Sequence, residues 1–550
     1  MEEISILIGG QAGEGIKQGG NLIARLFNRY GWNIFVYEDY PSLIRGGHNF
    51  SIIRAAKKPI KSHRNKIDIL FAFNQDTLKI HQKRISRETV VVYDSQEAQY
   101  KRGIKIAMNK IIQEQKLPTF AKNTLVLGAT AKILNINFGL VKKLIKEVFK
   151  EYQEENLRAA EIGYDLAPNI INLPRLRKPP KPLLTGNEAI ALGAAKAGLK
   201  LYVAYPMTPA TSILHFFAHY ENKLGVKTVQ PESEIAAVLI AEGAAYAGVR
   251  SMVGTSGGGF ALMNEALSMA GQAEIPILFV LSQRAAPSTG VPTYTMQGDL
   301  LFALNAGHGE FQRIVAAPGD THQAFYLTGE VLDLVWKYQM PGIILSDKHL
   351  SESTFSTEID LREVKMEKPK LWKEKSGYKR YLFVDDGVSP LAFPGTRNNI
   401  VKATSYEHDE YGITTEEAKK IEKMIEKRAK KKKTLIEELK KKETVKVYGN
   451  KRSKIVLVGW GSTQGVLEEV AEELKIKFVQ ILYLEPFPKW ELEKIFKDAV
   501  EIIDVENNST GQLASILRSN GFNITRKILK YDARPFTTDE LIKKIWQEIK

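Results

Sequence analysis

Three loops carry the residue types that suggest chemistry in this chain, and each loop follows a short apolar run that predicts a parallel strand. The loops span residues 205–209, 255–259 and 284–293. Ligands of open α/β sheets bind at the carboxyl ends of the strands. We therefore predict that the loops converge on one pocket that holds a hydroxyl, glycine backbone and one fixed cation. Such a pocket suits a small carboxylate beside a cofactor.

Thr208 supplies the hydroxyl. It follows a predicted strand and precedes Pro209, so the pattern predicts a helix N-cap with proline at the first helical position. The same geometry places a hydroxyl and free backbone N–H groups at a helix N-terminus, which favours an anion. The structural role and the binding role are compatible.

Glu234 and Arg284 are the candidate charged groups. Glu234 precedes an apolar helix that begins at Ile235, and a carboxylate in a first helical turn also stabilises the helix dipole without any other function. Arg284 ends an apolar strand, where its guanidinium must pair or face a pocket because an unpaired buried charge is costly. A structural ion pair is the alternative for Arg284.

The bulk composition describes an ordinary globular protein of about three or four domains. The chain has 550 residues, 44% of them hydrophobic and 26% charged, and no cysteine. Thiolates for an iron–sulfur cluster, a structural zinc site or a disulfide are therefore excluded, and any cluster must sit on another chain. We expect a cytoplasmic protein, because the N-terminus has no basic region and the apolar stretch 275–281 is too short to span a bilayer.

The net charge of +15 comes largely from one tract, residues 419–442. The tract contains four consecutive lysines at 430–433 and four glutamates as potential ion-pair partners, namely Glu422, Glu426, Glu437 and Glu438. It therefore predicts a solvated, ion-paired helix and not a nucleic-acid-binding surface. Abundant Lys, Glu and Ile without Cys also fit a thermophile.

Strand and helix patterns alternate along most of the chain, which predicts α/β domains, the first with a largely parallel sheet. We predict a first α/β domain over 1–173, a Pro/Arg/Lys linker over 174–184, and a second α/β domain over 185–360. A charged connecting segment over 361–452 with the Lys/Glu helix leads to a last α/β domain over 453–550. No period of 20 to 50 residues indicates a repeat protein.

Five motifs resemble the α subunit of the 2-oxoacid:ferredoxin oxidoreductases, which are thiamine-diphosphate enzymes. Tyr-Pro-Met-Thr-Pro at 205–209 is similar to that family's Tyr-Pro-Ile-Thr-Pro, and residues 255–260 resemble its Thr-Ser-Gly-Pro-Gly-Phe. The block 283–300 resembles Arg-x-Gly-Pro-Ser-Thr-Gly-x-Pro-Thr followed by Gln-x-Asp-Leu. Residues 407–412 and 506–513 also match. Met207 and Ala286 depart from the family pattern.

The first domain extends the resemblance. Residues 8–15, a glycine-rich strand-to-helix loop, and residues 40–48, Tyr-Pro-Ser-Leu-Ile-Arg-Gly-Gly-His, resemble the γ subunit of the same family, fused here ahead of α. The glycine-rich loop alone leaves phosphate binding and helix packing both open. The resemblance thus covers nearly the whole chain and implies three α/β domains. The second is a pyrimidine-type domain that binds thiamine diphosphate, and the last is a transketolase C-terminal-like domain.

The resemblance assigns roles to individual residues. Thr208 and Arg284 match the residues that hold the 2-oxoacid carboxylate, and Glu234 matches the glutamate that bonds the aminopyrimidine ring and relays a proton. Glu232 is the alternative if the alignment is shifted by two residues. Thr293 and Arg45 are further candidates for substrate binding. The remaining candidates for cofactor binding are Tyr205, Pro206, Thr255, Ser256 and Gly257.

The chain lacks the Gly-Asp-Gly motif, followed by an Asn pair, that holds a diphosphate through magnesium. In the family this motif and the cysteines of a [4Fe-4S] cluster belong to the β subunit. The resemblance therefore implies a chain that binds no metal itself and is active only with a β subunit. The complex would convert a 2-oxoacid such as pyruvate or 2-oxoglutarate and CoA to acyl-CoA, and would reduce ferredoxin.

Two other functions remain open on the residues alone. A non-oxidative thiamine enzyme of the transketolase or decarboxylase kind shares the domain type, and a basic binding or scaffold protein would use the lysine tract. Arg45 is our candidate for substrate choice, because it lies where related enzymes carry a basic residue that reaches the active site. A solvated loop arginine is the alternative.

Overall fold

The apolar runs of the sequence form strands and the amphipathic runs form helices in the computed structural model, which describes residues 1–43 and 46–549. The chain divides into two units. The first comprises Met1–Leu184, Glu352–Glu358 and Thr537–Lys543, and the second comprises Thr185–Ser351, Ile359–Phe536 and Lys544–Lys550.

The first third of the chain contains seven strands and six helices among its described residues. They are β1 (Glu3–Ala12), α1 (Ile16–Arg29), β2 (Asn33–Asp39), β3 (Gly46–Ala56), β4 (Ile69–Ala72), α2 (Gln75–Ile80), β5 (Val90–Asp94), β6 (Ile104–Ile106), α3 (Met108–Glu114), α4 (Lys122–Ile133), α5 (Phe138–Val148), α6 (Gln153–Leu166) and β7 (Leu183–Thr185).

The middle of the chain continues the alternation. Its elements are α7 (Gly186–Lys196), β8 (Leu201–Val203), α8 (Thr211–Leu224), β9 (Lys227–Val229), α9 (Glu234–Tyr246), β10 (Ser251–Thr255), α10 (Gly257–Leu262), α11 (Asn264–Gln272), β11 (Leu278–Gln283), α12 (Leu300–Asn305), β12 (Ile314–Ala316), α13 (Thr321–Tyr338), β13 (Gly342–Asp347), α14 (Lys348–Glu352) and β14 (Thr354–Ser356).

One long helix and a further α/β segment complete the chain. The elements are α15 (Ala418–Leu439), β15 (Val445–Gly449), β16 (Ile455–Trp460), α16 (Gln464–Leu474), β17 (Lys477–Ile481), β18 (Tyr483–Glu485), α17 (Lys489–Phe496), β19 (Glu501–Glu506), α18 (Gln512–Ser519), β20 (Arg526–Leu529) and α19 (Thr538–Ile549).

The sheet of the first unit is mixed. Its strand order is β6-β5-β4-β1-β3-β2-β14-β7, and β1, β4, β5 and β6 run parallel. β3 is antiparallel to both of its neighbours, β1 and β2, and β14 is antiparallel to β2. The predicted largely parallel sheet is therefore wrong for one half. The missed strand β3 is the next strand after β2 in the chain and pairs beside it in the opposite direction.

The second unit contains two sheets. The larger has the order β18-β12-β13-β11-β10-β8-β9, and all its strands run parallel except β18, which pairs antiparallel with β12. β8, β10 and β11 lie side by side, so their carboxyl ends share one edge. Because the three candidate loops follow these three strands, the fold brings the loops together as predicted.

The smaller sheet has the order β15-β17-β16-β19-β20. Its strands are parallel except for β15, which pairs antiparallel with β17. β15 begins at Val445, ahead of the predicted start of the last domain at residue 453. The α/β fold class with three sheets agrees with the sequence, while the domain boundaries themselves stay a prediction.

The lysine-rich helix α15 is not a solvated helix on all sides, and the prediction for this tract is wrong in that respect. Lys427 and Lys431 are each 2% exposed, and both contact the carboxylate of Glu274, which is 1% exposed. Lys427 Nζ lies 2.7 Å from Glu274 Oε1, and Lys431 pairs with Oε2. The two lysines share a face with Met424 and Leu435, at the spacing of three and four residues that marks the inner side of a helix.

Burial alone would raise the pKa of Glu274, but Lys427, Lys431 and Arg380 together hold it well below its usual range. Arg380 also donates to the Glu274 carbonyl oxygen at 2.6 Å. One carboxylate is thus the shared counter-charge of three buried basic side chains, and burial lowers the pKa of one of them, Lys431, to about 7. Each cation would be left without its counter-charge if the carboxylate were removed.

We predict that Glu274→Gln lowers the free energy of unfolding by about 3–5 kcal/mol, because breaking a buried ion pair leaves an uncompensated charge. Urea unfolding followed by circular dichroism measures the effect. Lys430→Met, one residue from Lys431 but on the exposed side of α15, serves as the control and should change the midpoint little. Equal midpoints for Glu274→Gln and Lys430→Met would contradict the structural role of the cluster.

Candidate functional site

A hydrogen bond from a side chain of the third loop to a main-chain carbonyl of the first fixes these two loops to each other. Arg284 follows β11 directly, is 9% exposed, and donates from Nη1 to the carbonyl oxygen of Thr208 at 2.8 Å. The guanidinium therefore holds the loop that carries the Thr208 hydroxyl, and the two predicted substrate-binding residues lie next to each other.

Thr208 is not the cap of helix α8, so that prediction is wrong. The helix begins at Thr211 with Ala210 as its N-cap. Residues 207–210 form a turn in which the Ala210 N–H donates to the Met207 carbonyl at 2.9 Å, and the peptide bond before Pro209 is cis. The turn takes up the residues that we assigned to the first helical turn.

Glu234 is the first residue of α9, and Ser233 caps that helix by accepting from the Ala236 N–H at 3.3 Å. The Glu234 side chain is 4% exposed, and its Oε1 has no hydrogen-bond partner among the described residues. Glu232 is exposed. A buried carboxylate with a free oxygen fits a role in binding, whereas Glu232 fits a solvated loop.

Two glycines of the second loop make room for side chains of the site. A Cβ on Gly259 would lie 2.1 Å from Thr255 Oγ1 and 2.7 Å from Glu234 Oε1. A Cβ on Gly257 would lie 2.7 Å from Asp299 Oδ2. Glu234, Thr255 and Asp299 therefore all lie against the start of α10. Thr255 Oγ1 also reaches Met207 Sδ at 3.8 Å, so Met207 connects the first loop with the second.

Several buried polar atoms around these loops have no protein partner in the part of the chain that the structure describes. They are Glu234 Oε1, Ser256 Oγ, Thr293 Oγ1 and Asp299 Oδ2. Buried polar atoms are normally satisfied, and a group of unsatisfied ones at a loop cluster indicates a polar ligand. The same loops supply the open backbone at Gly258, where a Cβ would meet no atom within 4 Å.

The third loop folds back on itself. The Val291 N–H donates to the Ala285 carbonyl at 2.8 Å, and the Ala285 N–H donates to the Tyr294 carbonyl at 3.0 Å. Gly290 has φ 55° and lies so close to the Ala285 carbonyl that a Cβ would clash, hence glycine is required there. The folded loop buries Thr293, which is 5% exposed, beside the site.

Arg284 and Asp299 are the charged pair of the site. Burial lowers the pKa of Arg284, and the Asp299 carboxylate opposes that change. Burial raises the pKa of Asp299 to about 6, and Arg284 acts in the opposite direction. The site therefore contains a cation for a carboxylate ligand and an acid that titrates near neutral pH.

Two motifs that lie about 200 residues apart in the sequence, 283–300 and 506–513, meet at one side of the site. Gln297 donates from Nε2 to the Trp460 carbonyl at 2.8 Å, and Asn508 Nδ2 donates to the Gln297 carbonyl at 3.0 Å. Glu506 accepts from the Trp460 indole at 3.1 Å and from the Leu513 N–H at 2.8 Å. The smaller sheet thus positions the loop that leads to Asp299.

The remaining predicted site residues lie in the described part of the chain, with one exception. Tyr205 is 40% exposed and begins the first loop together with Pro206. Ser256 is buried and is the N-cap residue of α10. Arg45 lies outside the described residues. The Gln-x-Asp-Leu block was part of the resemblance, but its Asp299 was not among the predicted site residues, because a carboxylate after a loop carries no local signal of what it faces.

Among the described helices, none combines the length and the apolar character that a membrane span requires. No cluster of three or more His, Cys, Asp or Glu side chains able to hold a metal ion occurs in the described ranges 1–43 and 46–549.

Comparisons with known proteins match the chain along its length. Residues 192–427 match the family described as pyruvate flavodoxin/ferredoxin oxidoreductase, thiamine diphosphate-binding, and residues 5–166 match the family pyruvate ferredoxin/flavodoxin oxidoreductase. The 2-oxoacid:ferredoxin oxidoreductase subunit alpha of Saccharolobus solfataricus is 33% identical, over 98% of this chain and 96% of the relative. The subunit of the same name from a Sulfolobus species is 33% identical over 100% and 97%.

A solved structure agrees with these matches. It is the 2-oxoglutarate:ferredoxin oxidoreductase from Magnetococcus marinus with 2-oxoglutarate, coenzyme A and succinyl-CoA bound. It has a TM-score of 0.92 and 31% sequence identity, with 100% of both chains covered. The fold is thus that of a thiamine-diphosphate-binding oxidoreductase subunit. This chain belongs to the family of 2-oxoacid:ferredoxin oxidoreductase α subunits, and the resemblance seen in the motifs is confirmed.

We predict that Gly259→Ala destabilises the protein by about 1–3 kcal/mol, because the added methyl would overlap Thr255 and Glu234 and force them to move. Gly258→Ala is the matched control on the same short helix. It should be neutral or slightly stabilising, since its Cβ meets open space and alanine favours a helix. Thermal unfolding of both variants measures the difference, and equal melting temperatures would contradict the packing described here.

Proposed function

We propose that this chain is the α subunit of an enzyme that decarboxylates a 2-oxoacid oxidatively, forms acyl-CoA and reduces ferredoxin. The observation that carries the proposal is the loop cluster. The buried Glu234 carboxylate, whose Oε1 has no partner among the described residues, lies against the second loop at Gly259, and the Arg284 guanidinium of the third loop is anchored to the first. A carboxylate ligand needs the guanidinium, and carbanion chemistry on a cofactor needs a placed proton carrier.

The substrate carboxylate is assigned to Arg284, Thr208 and Thr293. Arg284 uses Nη1 to hold the Thr208 carbonyl, which leaves other N–H groups of the guanidinium for an anion. The buried Thr293 hydroxyl has no partner among the described residues and supplies a second donor. A guanidinium with neighbouring hydroxyls binds a carboxylate through charge-assisted hydrogen bonds.

Thiamine diphosphate is assigned to the loops that start at β8 and β10 and to the start of α9. Glu234, Thr255, Ser256 and Gly257 would hold it, with Tyr205 and Pro206 at the rim. When bound, this cofactor supplies the electron sink for decarboxylation. Glu234 keeps Oε1 available for a proton in a site from which water is largely excluded, since its side chain is 4% exposed.

A β subunit is required to complete the site, because the chain has no cysteine and no diphosphate–magnesium motif. We assign the Mg²⁺ and a [4Fe-4S] cluster to that subunit. Exposed apolar side chains on the outer side of α9 and at the end of α10 indicate a protein partner next to the site. Ile235, Leu239 and Ile240 are 51%, 43% and 41% exposed, and Leu262 at the end of α10 is 53% exposed. An exposed apolar group beside an incomplete site favours a protein interface.

Substrate choice stays a prediction. Arg45 is our candidate for the second carboxylate of a substrate such as 2-oxoglutarate, compared with pyruvate, which has a single carboxylate.

We predict that Glu234→Gln lowers turnover of the complex by at least about a hundredfold, because general acid–base catalysis by a placed side chain typically contributes 10²–10⁴-fold. Glu232→Gln, two residues earlier and exposed, is the control and should retain most of the activity. Ferredoxin reduction with pyruvate and CoA measures both variants. A fall with Glu232→Gln and none with Glu234→Gln would reverse the assignment.

We predict that Leu239→Lys weakens association with the β subunit at least about tenfold, because a charge would be buried at an apolar interface. The stability of the isolated chain should be unaffected, since the side chain at position 239 is exposed to solvent in the absence of a partner. Val500→Lys, at a position 73% exposed on the smaller α/β segment, is the control. Sedimentation of mixtures of the two subunits measures association, and equal affinities for Leu239→Lys and the wild type would place the interface elsewhere.

A further inference from the structure

Asp299 has a carboxylate that the proposed function does not use. The residue directly precedes α12, a position where aspartate normally caps a helix by accepting from its first N–H groups. Within the described residues its side chain makes no such bond. The Leu301 N–H instead donates to Gln512 Oε1 at 2.9 Å. The Asp299 carboxylate is therefore not needed to begin its own helix.

The carboxylate is held toward the candidate site. The Asp299 N–H donates to Gln283 Oε1 at 2.9 Å, and Gln283 is the residue just before Arg284. Gln283 is itself fixed, because its Nε2 donates to the Ser346 carbonyl at 3.0 Å. Asp299 Oδ2 lies against Gly257 and is buried without a hydrogen-bond partner in the described part of the chain.

Arg284 is the charged group that acts on this carboxylate. The two side chains influence each other's pKa, although no direct salt bridge between them occurs within the described residues. The polar side chains on the neighbouring elements, Gln283, Gln297 and Gln512, are neutral. Glu234 faces the same helix α10 two residues farther on, at Gly259.

The Asp299 main chain is bonded to the side chain of the residue before Arg284, so a ligand carboxylate on Arg284 would bring a second negative charge to the part of the site where the unpartnered Asp299 Oδ2 is buried. Two carboxylates that share one cation in a desolvated site do not both stay ionised, because like charges at short range raise the pKa of one of them. Burial has already raised the pKa of Asp299 to about 6. Asp299 is therefore the group that takes up the proton.

We propose that Asp299 is a buried counter-carboxylate whose negative charge opposes binding of the 2-oxoacid carboxylate to Arg284, so that substrate binding protonates Asp299. This inference rests on the proposed function, since it requires Arg284 to hold the substrate. The proton comes from solvent when the substrate binds and returns to solvent after the substrate carboxylate has left as CO₂. Asp299 is a positioning residue that acts through Arg284.

The consequence is a substrate affinity that depends on pH in a defined direction. Below pH 6 Asp299 is protonated before the ligand arrives, and binding is strongest. Above pH 6 binding must take up a proton, so the dissociation constant rises up to tenfold for each pH unit. The rise ends where Asp299 becomes ionised in the bound complex too.

The test uses oxamate, an unreactive analogue of pyruvate, with the intact complex of this chain and its β subunit. Calorimetry in two buffers of different ionisation enthalpy measures the protons taken up on binding. We expect uptake approaching one proton at pH 7.5 and none at pH 5. The dissociation constant should rise about ten- to thirtyfold between pH 6.5 and pH 8. Pyruvamide, which lacks the carboxylate, should bind without proton uptake.

Asp299→Asn should abolish the pH dependence and bind oxamate about tenfold or more tightly than the wild type at pH 8. Glu242→Gln is the matched control. Glu242 is a buried carboxyl whose pKa burial raises to about 9, so it stays protonated over the range tested and its replacement should leave the pH profile unchanged.

The proposal is overturned if the wild type takes up no proton and its affinity for oxamate is constant from pH 6 to pH 8. It is also overturned if Asp299→Asn binds oxamate more weakly than the wild type at every pH. The Asp299 carboxylate would then favour binding of the ligand to Arg284 and not oppose it. The wild-type measurement decides even if the variant does not fold. Arg284→Ala distinguishes a failure of the Asp299 proposal from a failure of the proposed function. Unchanged oxamate binding in that variant would refute the proposed function, because Arg284 would then not hold the substrate carboxylate.

Discussion

A buried guanidinium has to be neutralised or hydrogen-bonded, and in this protein Arg284 meets that requirement in a way that creates the site. It donates from the third loop to the Thr208 carbonyl of the first, and its charge acts on the Asp299 carboxylate. The parallel order of β8, β10 and β11 brings the loops to one edge. The approach of the first loop to the third depends on this cation, since the buried guanidinium would otherwise lose the Thr208 carbonyl as its partner.

The glycines of the second loop complete the same arrangement from the other side. Gly257 and Gly259 have no side chain, which leaves room for the carboxylates of Asp299 and Glu234. A Cβ at either glycine would overlap the neighbouring carboxylate. The smaller sheet then fixes the approach to Asp299 through the bonds of Gln297 with Trp460 and Asn508. Two sheets thus hold a site whose residues are spread over several loops. In this arrangement Glu234 Oε1 and Asp299 Oδ2 have no hydrogen-bond partner among the described residues.

The sequence predicted the α/β fold class and the convergence of the three loops, because strand order in a parallel sheet follows a few rules. Its candidates Glu234 and Arg284 lie at these loops, and their roles stay a prediction. It did not predict the turn at Thr208, since Pro209 suits a turn as well as a first helical position. It also missed the antiparallel β3 and the burial of Lys427 and Lys431. A lysine at an inner helical position is read as solvated until its partner, here Glu274 about 150 residues earlier, is known to lie opposite. The backbone on either side of Asp299 is held by Gln512 of helix α18, through the Leu301 N–H and the Gly298 carbonyl. A partner so distant in the sequence leaves no local signal.

The cluster of Glu274, Lys427 and Lys431 has a consequence for how the connecting helix α15 behaves in different media. Ions in solution screen charges that they can approach, and the Debye length at physiological ionic strength is about 8 Å. The cluster is 1–2% exposed, so dissolved salt reaches it poorly. The pairs on the outer side of the same helix, such as Lys420 with Glu417, are open to screening. The attachment of α15 should therefore persist in concentrated brine, where its outer charges no longer interact with one another.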